Sequence, residues 1–349
     1  MTYPSNQPIP FQHVTDALLN ENEPFPAKYL HRFSDIEPSA LDQLRSVWHQ
    51  VNVERRVRLL EDLEISHETD TLMSFDDFAR FAMHDTDARV RAGALRLLWE
   101  GQSILLIPEL IELLKKDTDE AVRAAAAGVL GQFILEGELE EIPETSLRQV
   151  EDTLLALATG REPDLVRRKA IESLGYSSRR EVPELIQRAF NTDDPEWLAS
   201  ALFAMGRSAD PVWQPEVMEM LDHPDSEVQI EAVRAAGDLE LVAAREPLIE
   251  MVVEGIENSD VRAAVVWSLS QIGGQNVQET LEELLENTED DEEAEIIEQA
   301  MDNLVFTDGF DRFGMLDFDE PGTPDNKDTF EGIDLDEGED SPGNTSKRT

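Results

Sequence analysis

The apolar positions of this chain fall into a phrase that recurs six times between residues 85 and 273. Each copy opens with acidic residues, continues with an apolar anchor and small residues at helical spacing, and closes at or near a glycine. The anchors lie 32, 44, 32, 30 and 33 residues apart and are Val90, Val122, Val166, Leu198, Val228 and Val261. A repeat of this length predicts an array of stacked units, whose stability comes from contacts between neighbours.

Each copy of the phrase predicts one helix. Asp87, Asp119 and Asp225 stand just before the apolar residues, where a carboxylate accepts hydrogen bonds from unpaired helical N–H groups. Apolar residues then recur every three or four positions, which is the period of a half-buried helix. We expect these helices to stop at glycines, which are Gly131, Gly175, Gly206, Gly237 and Gly273.

A second apolar segment lies between successive copies, as in IPELIELLKK and VPELIQRAF. Pro108 and Pro183 fall near the first turn of these segments, where a missing N–H costs nothing. Each unit is therefore predicted to be helix, turn, helix, and the units must stack because one pair cannot bury its own apolar face. The long interval contains EGELEEIPETS (Glu136 to Ser146), which we expect to form a loop.

The order of elements resembles that of HEAT repeats, including the HEAT-like repeats named after phycobilisome lyases. In that family an acidic turn is followed by a Val-Arg pair that opens the second helix of each unit. The units at Leu198-Ala199 and Val228-Gln229 depart from the pattern, and only Asp85/Arg91 and Asp117/Arg123 keep the family's six-residue offset between Asp and Arg. The pairs that match are Val90-Arg91, Val122-Arg123, Val166-Arg167 and Val261-Arg262.

This resemblance implies an all-α fold, a right-handed α-α superhelix of the HEAT/ARM type with about eight helix pairs. We expect the solenoid to span residues 38–306. Residues 1–37 are rich in Pro and Asn and predict an irregular N-terminal arm. Residues 307–349 are acidic, contain Gly and Pro and few aliphatic residues, and predict a disordered tail.

The charge of the chain narrows the classes of partner. It carries 29 basic and 76 acidic residues, for a formal net charge of −47. This argues against nucleic acid and anionic membranes and favours a basic protein partner, although general solubility or salt adaptation explains the acidity equally well. We read no secretory signal and no membrane span, and with no cysteine the sequence predicts a cytoplasmic protein.

The residues do not form any catalytic pattern that we recognise. The six histidines are scattered without metal-ligand spacing, His67-Glu68 is a single pair, and there is no phosphate-binding loop. We therefore predict no cofactor, no metal and no enzymatic activity, and interpret the chain as a protein-binding scaffold. The alternative is a bilin-lyase-like or other enzyme subunit.

The second helices of HEAT units line the concave face of the solenoid. Counting from each anchor, positions two, six, nine and ten should lean toward solvent on that face. Arg and aromatic side chains there would suit a partner, although a Trp can also fill a gap between repeats and an Arg can pair with a neighbouring carboxylate. The predicted contact residues are Arg96, Trp99, Arg168, Tyr176, Arg207, Ile230, Arg234 and Trp267.

The acidic tail contains regularly placed phenylalanines, which are Phe306, Phe310, Phe313, Phe318 and Phe330. Phe alternating with acidic residues is a common form of interaction segment. One interpretation is a pseudo-ligand that docks on the Arg and aromatic positions of the concave face and modulates access. The other is a solubilising tail whose first Phe residues cover the last repeat.

Overall fold

In a computed structural model, the protein backbone is described for residues 10–69, 72–98 and 103–314. The chain divides into two units, Met1–Asp308 and Gly309–Thr349, and the packing below is that of the first. Every regular element in the described residues is helical. None of these helices is both long enough and apolar enough to cross a membrane.

Helix α1 (Gln12–Leu19) precedes eight consecutive helix pairs. The first helices of the pairs are α2 (Pro38–Val47), α4 (Asp76–Ala82), α6 (Ile107–Lys116), α8 (Glu144–Ala158), α10 (Val182–Phe190), α12 (Gln214–Met220), α14 (Arg245–Glu254) and α16 (Val277–Asn287). The second helices are α3 (Val53–Thr69), α5 (Ala88–Arg96), α7 (Glu120–Glu138), α9 (Asp164–Leu174), α11 (Pro195–Arg207), α13 (Ser226–Asp238), α15 (Ser259–Ile272) and α17 (Asp291–Gly314). Short 3₁₀ helices are Ala27–Phe33, Trp48–Gln50, Ile104–Leu106, Pro211–Trp213 and Val242–Ala244. The predicted all-α superhelix of about eight pairs is confirmed.

The predicted helix starts are also confirmed. The carboxylate of Asp87 accepts a hydrogen bond from the backbone N–H of Arg89 at the start of α5. Asp119 and Asp225 each accept two such bonds at the starts of α7 and α13. Since a cap of this kind is a local contact, its position follows directly from the sequence.

The predicted glycine stops are confirmed in part. Gly175 and Gly273 directly follow α9 and α15, Gly175 in right-handed helical conformation and Gly273 with a φ of 58°. Gly206 and Gly237 lie one residue before the ends of α11 and α13. Gly131 lies inside α7, so the stop predicted there is wrong.

These glycines mark the places where neighbouring second helices approach each other. A Cβ on Gly131 would lie 3.0 Å from the side chain of Ser173 in α9. A Cβ on Gly175 would lie 2.7 Å from the carbonyl oxygen of Ala204 in α11, which is closer than van der Waals contact allows. The absence of a side chain therefore sets the spacing of the second-helix layer.

Two further expectations differ from the structure. The insertion at Glu136–Ser146 is mostly helical, because α7 continues to Glu138 and α8 begins at Glu144. The N-terminal arm is not irregular throughout, since α1 and the 3₁₀ helix Ala27–Phe33 lie within it. Its buried Phe33 packs edge-on against Phe78 of α4, with ring centroids 5.0 Å apart, and so joins the arm to the core.

At the C-terminal end of the solenoid, the backbone of α17 stays helical past residue 306, the predicted boundary, as far as Gly314.

Arginines at the starts of the second helices bond to the turn of the following pair. Arg91 donates two hydrogen bonds of 2.8 Å to the carboxylate of Asp117, and another to the carbonyl oxygen of Asp85. The ion pairs of this kind, which we call the ladder, are Arg56–Asp85, Arg91–Asp117, Arg123–Glu162 and Arg262–Glu293. The six-residue offset therefore does not describe the pairing, because each ladder carboxylate belongs to the next unit.

One of the two units that lack the Val-Arg pair, the unit at Val228-Gln229, keeps part of this arrangement. Gln229 donates from Nε2 to the carbonyl oxygen of Leu221, 3.0 Å away. Arg123 makes the equivalent bond to the carbonyl oxygen of Leu114 at 2.7 Å. The second helix is thus still tied to its own turn at Gln229, without a charged partner.

Candidate partner-binding groove

The second helices form the more tightly stacked layer of the solenoid. Neighbouring second helices such as α7 and α9 contact each other extensively, whereas neighbouring first helices such as α6 and α8 touch at few points. The layer with the closer spacing lies on the inside of a curved stack, so the second helices line the concave side.

An open groove of about 500 Å³ lies along this layer, over α5, α7, α9 and α11. A second space of about 580 Å³ continues it over α9, α11 and α13. The two share Leu165, Lys169, Glu172 and Phe203. We call them the first and second sections of the concave groove.

The floor of the first section is made of small residues on α7, namely Ala121, Ala124, Ala125 and Gly128. A Cβ on Gly128 would meet no neighbouring side chain or helix within 4 Å, so this position opens into the groove. Small residues at helical spacing leave the backbone of α7 close to the surface. The floor is therefore shallow and apolar.

Most of the basic side chains in the groove are already paired with carboxylates. Distances between the charged atoms are 2.8 Å or less for three pairs and 3.0 Å for the fourth. The pairs are Arg96–Glu64, Arg168–Glu196, Lys169–Glu172 and Arg234–Glu231. Each of these cations is therefore neutralised within the groove wall.

Arg207 is bound differently. Its guanidinium carbon lies 4.1 Å from the ring centroid of Phe203 and 4.7 Å from that of Tyr176, which are cation–π distances. Among the described residues, no carboxylate lies within ion-pair distance of it. Burial lowers the pKa of the Arg207 guanidinium, opposed by nearby charges of which Tyr176 and Glu172 are the largest. An arginine nevertheless stays protonated at neutral pH.

Glu172 anchors the wall next to Arg207. Its buried carboxylate accepts a hydrogen bond of 2.8 Å from the hydroxyl of Ser200 and one from the ammonium of Lys169. Its backbone carbonyl oxygen accepts a long hydrogen bond of 3.4 Å from Arg207. The carboxylate of Glu172 thus serves Lys169 and Ser200 and leaves Arg207 without an anionic partner.

The structure brings most of the predicted contact residues to this face. Four of them line the groove, which are Arg96, Arg168, Arg207 and Arg234. A fifth, Tyr176, contacts the guanidinium of Arg207 with its ring. Within the described residues, no group of three or more His, Cys, Asp or Glu side chains is placed so that it could hold a metal ion.

Three predicted residues stand apart. Ile230 is only 8% exposed, because its side of α13 packs into the core, so its placement on the solvent side is wrong. Trp267 is 43% exposed on α15 but lines neither section of the groove. Trp99 lies outside the described residues.

Among the groove residues that the sequence-based prediction missed are Gly128, Lys169 and Phe203. Phe203 stands four positions before Arg207 on α11, and this spacing places two side chains on the same helix face. That signal was present in the sequence. The exposure of Gly128 could not be read from the sequence, because a glycine in an Ala-rich helix has the same sequence context whether it faces a neighbouring helix or solvent.

Known structures resemble this chain in fold. The complex of CpcE and CpcF of phycocyanin lyase from Nostoc sp. PCC7120 is 20% identical, with a TM-score of 0.41, over 66% of this chain and 94% of that one. YibA of Escherichia coli is 15% identical, with a TM-score of 0.38, over 86% and 99%. Importin beta is 12% identical, with a TM-score of 0.40, over 88% of this chain and 48% of that one. At such identities the likeness concerns the fold alone.

No curated protein sequence matches the chain. The family model for HEAT repeats matches residues 76–175, 182–255 and 215–302, which together make up more than half of the sequence. Solenoids of this fold are typically protein-interaction scaffolds. The matched residues contain six complete helix pairs of the structure, from α4/α5 to α14/α15. The chain therefore belongs to the HEAT-repeat family.

Proposed function

We propose that this protein is a non-enzymatic binding scaffold that holds a segment of a protein partner in the concave groove. The observation that carries the proposal is the groove itself, which combines an open apolar floor at Gly128 with a half-buried arginine held against aromatic rings. Arg and aromatic side chains in a depression are the residues that most often dominate binding energy at interfaces.

The dimensions of the groove suit a short segment of chain. Four helices packed about 9 Å apart span about 27 Å. An extended segment of about eight residues has this length at roughly 3.3 Å per residue. Outside the groove, the net charge of −47 favours a partner whose surface is basic, because opposite charge speeds encounter.

A pair of variants at Gly128 tests the proposal. A Cβ at position 128 meets no neighbouring atom within 4 Å, so Gly128→Leu places a branched side chain in the groove, while Gly128→Ala adds only one carbon. The immobilised full-length chain captures partners from a lysate of the source organism, and bound proteins are compared among wild type and the two variants. We expect the Leu variant to lose partners that wild type and the Ala variant retain.

Circular dichroism and thermal unfolding establish that both variants are folded. If every partner bound to wild type also bound equally to Gly128→Leu, the concave groove would not be the binding surface.

An enzyme subunit of the bilin-lyase kind is the alternative function. It is tested separately, by incubating the purified chain with a bilin and a phycobiliprotein apoprotein and following visible absorbance. Chromophore attachment or removal that depends on this chain would establish the alternative in place of the scaffold.

A further inference from the structure

We infer that the groove recognises a carboxylate side chain of the partner segment, that Arg207 is the residue that binds it, and that the floor at Gly128 receives an apolar side chain of the same segment. The inference rests on the proposed function, because it specifies which chemistry enters the same groove.

The first argument is the availability of Arg207. A guanidinium has five N–H donors. Within the described part of the chain, Arg207 donates one hydrogen bond, the 3.4 Å bond from Nη1 to the carbonyl oxygen of Glu172. The other cations of the groove form ion pairs with carboxylates of the groove wall. Arg207 thus has donors to offer an incoming acceptor.

The second argument is the way in which Arg207 is held. The guanidinium carbon of Arg207 lies over the rings of Phe203 and Tyr176, 4.1 Å and 4.7 Å from their centroids. These ring contacts are cation–π interactions and not hydrogen bonds to an anion, so the N–H donors that are not bonded to Glu172 remain for a bidentate bond to a carboxylate. Because the rings fix the side chain before binding, little rotamer entropy is lost when the bond forms.

The third argument is the local charge. The first section of the groove is lined by three cations, Arg96, Lys169 and Arg207, and by two carboxylates, Glu64 and Glu172. These five lining groups have an excess of one positive charge in a chain whose net charge is −47. Asp238 and Glu231, which do not line this section, also interact electrostatically with the guanidinium of Arg207. Exposed charges farther away than about 8 Å are largely screened at physiological salt. One carboxylate of a partner completes the charge balance of this section.

The fourth argument is the apolar floor beside these charges. Ala121, Ala124, Ala125 and Gly128 line the same section as Arg207. An aliphatic or aromatic side chain placed over Gly128 would bury apolar surface on both sides. The predicted segment therefore combines one Asp or Glu with a neighbouring apolar residue.

The test uses a phage-displayed library of random eight-residue peptides selected on the immobilised full-length chain. We expect wild-type selections to be enriched in peptides that carry Asp or Glu next to an apolar residue. Enrichment of basic or uncharged peptides that still compete with one another and fail on Gly128→Leu would overturn the carboxylate inference and leave the proposed function standing. Selections indifferent to Gly128→Leu would contradict both.

The selected peptide is then measured against its Glu→Gln or Asp→Asn counterpart by fluorescence anisotropy. On wild type we expect about tenfold weaker binding of the uncharged peptide, the loss typical of a charge-assisted hydrogen bond. On Arg207→Gln the two peptides should bind almost equally. Because the comparison on wild type changes only the peptide, it remains valid if Arg207→Gln fails to fold.

Arg234→Gln is the matched protein control, since Arg234 lines the second section and is already paired with Glu231. It should preserve the preference for the charged peptide. A phosphoserine version of the peptide separates two anion classes, and strong binding of this version without binding of the Glu version would overturn the carboxylate in favour of phosphate.

Discussion

The ladder and the concave groove use arginine in opposite ways. In the ladder, Arg91 is bonded to the carboxylate of Asp117 and to two backbone carbonyl oxygens, and its side chain is 15% exposed. In the groove, Arg207 is held by aromatic rings and has no carboxylate at ion-pair distance among the described residues. The comparison shows that the same residue type joins repeats through ion pairs at one edge of the layer and is held by aromatic rings on its face.

Two glycines of α7 repeat this contrast three residues apart. Gly131 faces α9, where a Cβ would lie 3.0 Å from Ser173, and Gly128 faces the open groove. One glycine is required by packing and the other leaves room above the helix. Substitutions at such positions therefore test whether one face of the second-helix layer serves packing between helices and the other face forms the groove.

The largest expected effect is at the ladder. Arg91→Ala leaves Asp117, whose side chain is 7% exposed, as a buried charge without its ion-pair partner. We expect the free energy of unfolding to fall by about 3 kcal/mol. Chemical denaturation measures this, with Arg89→Ala as the matched control two residues away. Arg89 is an exposed residue that pairs with Glu54 and with the capping carboxylate of Asp87, so its loss should lower the free energy of unfolding much less than the loss of Arg91 does. Equal losses for both variants would contradict the structural role of the ladder.

The next effect compares two glycines that the sequence does not distinguish. Gly175→Ala forces a Cβ to within 2.7 Å of the carbonyl oxygen of Ala204, and we expect a loss of about 2 kcal/mol from overpacking. Gly128→Ala meets open space in a helix interior, so we expect a gain of about 0.5 kcal/mol from helix propensity. Thermal unfolding of the two variants should shift in opposite directions. A loss at both positions would show that Gly128 is a packing residue.

Acid titration distinguishes the carboxylate of the ladder from that of the groove. Burial acts to raise the pKa of Asp117, but hydrogen bonds from Arg91 and backbone N–H groups outweigh it and lower the pKa below 3.8. Burial raises the pKa of Glu231 above 4.5, although Arg234 opposes this. Asp117 therefore contributes stability that is present above pH 3.8 and is lost as the pH falls further, whereas ionised Glu231 reduces stability at higher pH.

Two amide variants test these signs. Asp117→Asn should be less stable than wild type at neutral pH, and the difference should shrink as the pH falls below 3.8. Glu231→Gln should be more stable than wild type at neutral pH, and the difference should disappear below about pH 4.5. Urea unfolding at a series of pH values measures both. If Glu231→Gln were destabilised at neutral pH, its pairing with Arg234 would outweigh its burial.

The smallest expected effect concerns the tail. If residues 307–349 modulate the groove, their deletion should raise the affinity for a groove-binding peptide by about threefold, because the groove would no longer be partly occupied. Anisotropy with the selected peptide measures the change. A full-length variant with Phe318→Ser and Phe330→Ser is the control for loss of charge, and should show the same increase. The residues after Gly314 lie outside the described residues, so this modulation stays a prediction.

The sequence alone determined the repeat, the helix starts and the number of pairs. Carboxylate caps such as Asp119 bond to N–H groups two and three residues ahead, and the apolar period is a property of one helix at a time. These are local relations, so no knowledge of neighbouring units is needed. The positions of Arg96, Arg207 and Arg234 on the concave face followed from the same periodicity.

Only the tertiary structure decided which residues meet across repeats. Arg91 pairs with Asp117, 26 residues away, because α5 and the next turn are brought together by stacking, and no offset within one unit contains that information. Ile230 is buried for the same reason, since the neighbouring helix covers a position that counting along α13 assigns to solvent. In the described part of the chain, Arg207 has no carboxylate at ion-pair distance because the carboxylate of Glu172 accepts its hydrogen bonds from Lys169 and Ser200. Distances between helices are set by small residues at their contacts, and these distances leave Arg207, among the basic side chains that line the groove, without a carboxylate of the described residues at ion-pair distance.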